Sequence, residues 1–244
     1  PTKALLKSAN VFEYIQHAED YGIKVKGAEA DFSAMVKRSR NVADGMSKGI
    51  QFLMKKNKID ILTGSGKIKA GKKVDVTDEK GKVTEYSAEN IILATGARSR
   101  ELPNLPQDGE KIIGYRKAMT LKNQPKSMVV VGSGAIGVEF AYFYNSIGTK
   151  VTVVEFLPNI VPNEDLDVSK ALEKSFKKQG ITIMTKSAVE SVDTSGDLCK
   201  VTVKTEKGEE VLEADIVLSA VGIQANIENL GLEEVGIVVD GGKV

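Results

Sequence analysis

The sequence predicts an α/β fold with a parallel sheet and an added β-meander. Three observations carry that prediction. Val129-Val130-Val131 is an apolar run of the kind that a parallel sheet buries on both faces. Gly132-x-Gly134-x-x-Gly137 follows at once, and a helical pattern runs from Val138 to Ile147. A second apolar run, Val151-Thr152-Val153-Val154, closes on the acid Glu155. Strand, glycines, helix, strand and terminal acid within about 30 residues make a Rossmann-like dinucleotide-binding unit.

The remaining elements read in chain order. Ala4 to Tyr14 is a helix with Leu5, Leu6, Val11 and Phe12 as apolar positions, and Tyr21-Gly22-Ile23 is a turn. Asp31 is placed to N-cap a long helix that ends near Asn57. Its apolar positions oppose a face of Lys and Arg that is read as solvated. Ile59 to Leu62 is predicted as a strand. Lys73 to Thr77 and Lys82 to Ser87 form a hairpin turned at Asp78-Glu79-Lys80-Gly81. Asn90 to Ala94 is predicted as a buried strand ending at Thr95-Gly96-Ala97, and Arg98 to Pro106 as a connector.

Beyond the glycine unit, Pro162 to Gln179 reads as a helix closed by Gly180, and Ile181 to Thr185 as a third strand. Ala188 to Val192 and Lys200 to Thr205 belong to the meander, turned at Asp193 to Asp197. Glu213 to Ala220 is predicted as one buried strand ending at Val221-Gly222. Ser87 to Gly96 and Glu213 to Gly222 echo each other: in both, a small β-unit precedes an apolar run that ends on a small residue and Gly. The echo predicts two similar dinucleotide-binding halves, with the glycine loop in the second.

Composition narrows the function. The chain has 244 residues, a net charge of +1 and 27% charged residues, so there is no electrostatic case for nucleic acid or an anionic membrane. No apolar run has the length of a membrane span, and no signal peptide is expected. One cysteine, Cys199, and one histidine, His17, give no internal disulfide and no Cys/His metal site, so no metal is expected. This usage suits a reducing compartment. Cys199 is read as a structural strand residue and His17 as an ordinary histidine.

The glycine loop has a specific chemistry. Gly132 permits a sharp turn from strand to helix. Gly134 lets the backbone approach a pyrophosphate, and Gly137 lets the helix pack on the strand. Free N–H groups and the positive dipole end of the helix then face the phosphates. Glu155 is placed to accept hydrogen bonds from the adenosine ribose hydroxyls and to repel a 2′-phosphate. Phe156-Leu157-Pro158 follows with no arginine, which favours NAD over NADP. A glycine turn without a ligand is the competing reading, and the acid at its offset of roughly 20 residues argues against it.

Three segments together resemble the class I flavoprotein disulfide reductases, most of all the dihydrolipoamide dehydrogenase family. They are Pro1-Thr2-Lys3-Ala4-Leu5-Leu6, Ile92-Leu93-Ala94-Thr95-Gly96-Ala97 and Gly132-Ser133-Gly134-Ala135-Ile136-Gly137-Val138-Glu139. The resemblance spans the chain and implies an oxidoreductase that uses FAD and NAD to oxidise dihydrolipoamide. It implies that Lys3 is the lysine near the flavin and Glu139 the glutamate that pairs with it. An ammonium there can stabilise developing negative charge. It further implies FAD contacts from Lys3, Gly66, Thr95, Gly96 and Ala97, and NAD contacts from Gly132 through Glu139, Glu155, Val189 and Gly222.

By the same resemblance, residues 1–110 are part of an FAD-binding domain, 111–236 an NAD-binding domain and 237–244 the start of a return to the FAD domain. The family's FAD-phosphate loop, redox cysteine pair and catalytic His–Glu pair have no counterpart here. The chain is therefore expected to be an internal part of a longer protein, inactive toward dihydrolipoamide alone. The implied partners of that protein are a second copy of itself and the dihydrolipoyl domain of a 2-oxoacid dehydrogenase or glycine cleavage complex. Its implied location is the cytoplasm, or the mitochondrial matrix in a eukaryote. Ile223-Gln224-Ala225-Asn226 departs from the Arg-Arg-Pro-Asn often found there in the family. Other disulfide reductases, NADH oxidase or peroxidase, and a non-catalytic NAD-binding module stay open as alternatives.

Overall fold

Thr2–Gln16 forms the first helix, α1, which buries Ala4, Leu5 and Ala9 on one stripe. The computed structural model describes residues 1–244. Phe32–Lys56 forms α2. The Asp31 carboxylate accepts the Ala34 N–H at 2.8 Å, the N-cap that the sequence predicts. Lys55 and Lys56 complement the dipole in its last turn. Ser65–Lys69 (β1), Lys73–Thr77 (β2) and Val83–Ser87 (β3) form an antiparallel sheet, with Ser65 opposite Thr77 and Lys73 opposite Ser87. Its second turn is organised by Asp78, which accepts the N–H groups of Lys80 and Lys82 at 2.9 Å each.

The chain continues through Ala97–Ser99 (β4), Ile112–Ile113 (β5), the one-turn helix Tyr115–Ala118 (α3) and Ser127–Val131 (β6). Ala135–Ser146 (α4), Lys150–Val154 (β7), Leu166–Lys178 (α5) and Thr182–Met184 (β8) complete the alternating α/β run. Ala188–Asp193 (β9), Cys199–Thr205 (β10) and Gly208–Ala214 (β11) are the meander. Ile216–Ser219 (β12) and Ile223–Ala225 (β13) follow.

Two compact units result. The first comprises Pro1–Met46 and Ser99–Gly222, and the second Ser47–Arg98 and Ile223–Val244. The first unit is built on a parallel sheet of strand order β5-β12-β6-β7-β8. Successive side chains of β6 point to opposite faces. Met128 and Val130 join the core under α1 and α4, with Leu5, Phe140, Phe143 and Tyr144. Val129 and Val131 join a second core under the meander, with Cys199, Val201 and Val203. The valine run is apolar throughout because both faces are covered.

In the second unit, the Ile68 N–H donates to the Leu230 carbonyl at 2.8 Å, and Lys67 pairs with Glu234 at 2.6 Å. β4 pairs with β13, and Arg98 forks onto both carboxylate oxygens of Glu228 at 3.0 and 2.6 Å.

The structure departs from the sequence reading at five places. Ile59 to Leu62 and Asn90 to Ala94 form no strand, and Ile92 is 90% exposed. A strand exists only through a neighbour that completes its hydrogen-bond ladder, and no strand lies alongside either segment. The echo between the two halves therefore stays an echo of sequence. The predicted strand from Glu213 to Ala220 is two strands divided at Asp215. There the carboxylate turns to accept the Ser127 N–H and hydroxyl, at 2.7 and 3.0 Å. The helix predicted from Pro162 starts at Leu166, because Asp165 caps it by accepting the Asp167 N–H at 2.8 Å. In α2 only Phe32 and Ser39 are buried, and the apolar positions Val42, Met46, Ile50 and Leu53 face solvent.

Candidate functional site

The glycine loop joins β6 to α4, and each glycine has a separate steric reason. Gly132 has φ +97°, and a Cβ there would stand 2.5 Å from the Ala220 carbonyl oxygen. A Cβ on Gly137 would press into the Gly132 carbonyl, well inside van der Waals contact. Gly134 is the N-cap of α4, and no side chain caps the helix. Its Cα faces open space. The first-turn N–H groups have no intrahelical acceptors and carry the positive end of the dipole. The loop is held in place from both sides. Gly132 N–H donates to the Val154 carbonyl at 2.9 Å, and Val161 N–H to the Ser133 carbonyl at 3.0 Å.

Glu155 follows β7 and is buried. One carboxylate oxygen accepts both the N–H and the hydroxyl of Ser133, at 2.8 and 2.6 Å. The other accepts the Leu157 N–H at 2.8 Å. A carboxylate offers about four acceptor directions, so the Leu157-bound oxygen keeps capacity for one more donor. Its main chain is fixed too: Glu155 N–H reaches the Met184 carbonyl and Ser187 N–H reaches the Glu155 carbonyl, at 2.8 and 2.9 Å.

Loop and acid share a cleft of about 520 Å³, within the range of small-ligand sites. Gly132, Ser133, Gly134, Glu155 and Gly222 line it, all assigned from sequence. Ala135, Ile136, Gly137, Val138 and Glu139 form the opening turns of α4 behind the loop. Val189 is not among the residues that line the cleft. It packs against the core under the meander, and its carbonyl accepts the Asn104 amide at 2.8 Å, while Ser187 and Ala188 line the cleft instead. Sequence reasoning missed Arg100, Leu102 and Phe156, which also line it. Arg100 lay in a connector without periodicity, and only a long-range bond from its N–H to the Gly222 carbonyl, 3.0 Å, brings it there. The open space at Gly134 and the spare acceptor on Glu155 fit a diphosphate followed by a ribose.

α1 lies against α4, and Lys3 forms an ion pair with Glu139 across them. The pair is open to solvent, with the Lys3 side chain 78% exposed. Farther along the same two helices, the Tyr142 hydroxyl donates to Glu13 at 2.7 Å. The other residues assigned to a flavin are in the second unit. Gly66 lies in β1 opposite Val76, the Thr95 and Gly96 carbonyls accept from the Asn226 side chain and N–H at 3.1 and 3.0 Å, and Ala97 opens β4. These offer main-chain groups, and the chain contains no second strand–glycine–helix cradle for another diphosphate. Cys199 is fully buried in β10, and burial pushes its thiol pKa up, which suits a structural residue.

A parallel sheet with a glycine loop and a terminal acid defines the dinucleotide-binding class of α/β fold. The chain belongs to the pyridine nucleotide-disulphide oxidoreductase family, whose profile matches residues 1–244. Within it, the chain is similar to the dihydrolipoyl dehydrogenase of Chlorobaculum tepidum, 44% identical over 243 residues, which cover 99% of this chain and 52% of that protein. The dihydrolipoyl dehydrogenase of Rhizobium etli is 42% identical over 260 residues, 100% of this chain and 54% of that protein. Among solved structures, LpdA from Mycobacterium tuberculosis superposes with a TM-score of 0.89 at 28% identity, over 99% of this chain and 52% of that one. The HOCl-induced flavoprotein disulfide reductase RclA from Escherichia coli superposes with a TM-score of 0.79 at 25% identity, over 99% and 50%. The chain spans about half the length of the curated relatives it matches.

Proposed function

We propose that the chain is the NAD-binding part, with some of the FAD-binding part, of a dihydrolipoamide dehydrogenase. The reaction is dihydrolipoamide plus NAD giving lipoamide, NADH and a proton. FAD, when bound, relays the electrons from a thiol pair to the nicotinamide ring. In this reading residues 1–110 serve the flavin and 111–236 the NAD. A single cysteine cannot run a dithiol–disulfide cycle, so the thiol chemistry is not among these residues.

The observation that carries the reading is the placement of Glu155. Its carboxylate is pinned by Ser133 of the glycine loop and opens on the cleft. There it takes the ribose hydroxyls of NAD, and its charge disfavours a 2′-phosphate. The bare backbone at Gly134 and the N-terminus of α4 receive the diphosphate. Lys3, oriented by Glu139, provides positive charge on the flavin side.

The relatives named above are the basis for the wider proposals: a homodimer, and a dihydrolipoyl domain of a 2-oxoacid dehydrogenase or glycine cleavage complex as partner. The cytoplasm, or the mitochondrial matrix in a eukaryote, is the corresponding location, and no helix is long and apolar enough to cross a membrane. Calorimetric titration of the purified protein with NAD and NADP tests the central reading. NAD should bind, and NADP at least about tenfold more weakly, as one lost charge-assisted contact implies. A folded protein that binds neither would overturn it. The 244-residue chain alone should not turn over dihydrolipoamide with NAD.

A further inference from the structure

The cleft beside the glycine loop has one anionic and one cationic side chain on its walls, Glu155 and Arg100. They stand on opposite sides. β12, β6 and β7 are consecutive strands of the sheet. Glu155 follows β7 directly, whereas Arg100 is tied to the end of β12 by its N–H bond to the Gly222 carbonyl, 3.0 Å. The glycine loop leaves β6 between them. Two strand spacings, about 10 Å, separate the two sides, and the N-terminus of α4 opens in the gap.

Every other arginine of the chain is engaged within the protein. Arg38 donates to the Ala4 carbonyl at 2.8 Å, Arg40 to the Met119 sulfur at 3.8 Å and Arg98 to Glu228 at 2.6 Å. Arg116 stacks over the Tyr115 ring at 5.8 Å. Arg100 has an exposed side chain with no such partner and lies on the wall of the cleft. Glu155 does not neutralise it, because that carboxylate is held on the far side by Ser133 and Leu157.

The geometry points to Arg100 as the cation that binds the diphosphate of the dinucleotide from the β12 side. This rests on the cleft being the nucleotide site proposed above. The loop N–H groups are neutral donors, and the helix end contributes only about half a charge. A diphosphate brings two. A guanidinium supplies a full charge and a planar fork that matches two phosphate oxygens. Glu155 and Arg100 then divide the ligand: the acid reads the adenosine ribose and the arginine holds the phosphates. A 2′-phosphate would sit on the Glu155 side of β6, out of Arg100's reach, so this cation does not alter the preference for NAD. Adenosine, which has the ribose hydroxyls but no phosphate, is insensitive to it.

The test compares the wild-type chain with Arg100→Ala and Arg100→Lys. NAD is titrated at low and high salt, adenosine binding is followed by NMR, and thermal midpoints serve as the fold check. Arg100→Ala should weaken NAD about tenfold or more and flatten its salt dependence. Arg100→Lys should recover part of the loss, and adenosine should bind all three alike. Equal NAD affinity in wild type and Arg100→Ala, at matching midpoints, would overturn the assignment while leaving the cleft reading intact. Parallel loss of NAD and adenosine would make Arg100 a structural residue, and also overturn it. A wild-type protein that does not bind NAD would remove the cleft reading and this inference together.

Discussion

Ser133 gives both of its donors to a single oxygen of Glu155, the N–H at 2.8 Å and the hydroxyl at 2.6 Å. This clasp couples the glycine loop to the acid at the end of the next strand, so a change at Glu155 acts on both. Glu155→Gln keeps an acceptor for Ser133 but loses the charge. It should weaken NAD about tenfold and narrow the gap to NADP, read from the two dissociation constants. Glu155→Ala should in addition cost about 1–3 kcal/mol of stability, because it leaves the Ser133 donors without their acceptor.

Two glycines of one motif should behave differently. A Cβ at Gly137 drives into the Gly132 carbonyl, and that backbone cannot move without separating α4 from β6. Gly137→Ala should lower stability by about 1–3 kcal/mol, the usual range for overpacking. A methyl on Gly134 meets no protein atom within 4 Å. Gly134→Ala should leave the thermal midpoint unchanged and weaken NAD, since the methyl occupies the path of the diphosphate. Similar midpoint losses in both variants would contradict the steric assignment.

Alkaline pH should loosen the contact between α1 and α4. Burial, followed by the hydrogen bond to Glu13, raises the Tyr142 pKa to about 12. An unfolded tyrosine titrates near 10. The unfolded state therefore loses its proton first, and the stability due to this group is intact below about pH 10 and falls as pH rises toward 12. Tyr144 acts in the same direction, with its hydroxyl buried on the Ala118 carbonyl at 2.6 Å. Denaturant unfolding measured from pH 9 to 12 should show the decline, and Tyr142→Phe should make it shallower.

Ser219 is only 3% exposed, and its hydroxyl has no hydrogen-bond partner at the end of β12. An unsatisfied buried hydroxyl is a cost, so Ser219→Ala should be neutral or stabilising by about 1 kcal/mol. A shift of the urea midpoint to lower concentration would show that the hydroxyl is satisfied in solution.

The βαβ unit was legible because its information is local. Apolar period, glycine spacing and the acid all lie within one stretch of about 30 residues, and the valines of β6 announce a sheet covered on both sides. The N-cap Asp31 was readable for the same reason, as its partner Ala34 is three residues away. Asn90 to Ala94 has the composition of a buried strand, yet forms none, because pairing depends on a neighbour that composition does not reveal. Glu213 to Ala220 divides at Asp215 because Ser127, distant in sequence, recruits its carboxylate.

From residue letters one can read the glycine loop, the helix it opens and the acid that follows the next strand, all consequences of backbone sterics and apolar period within one unit. Folding in three dimensions added the clasp of Ser133 on Glu155, the packing of Val189 under the meander and the arrival of Arg100 in the cleft. Each of these depends on where separate segments of chain meet, and such meetings are set by sheet order and packing rather than by spacing along the chain.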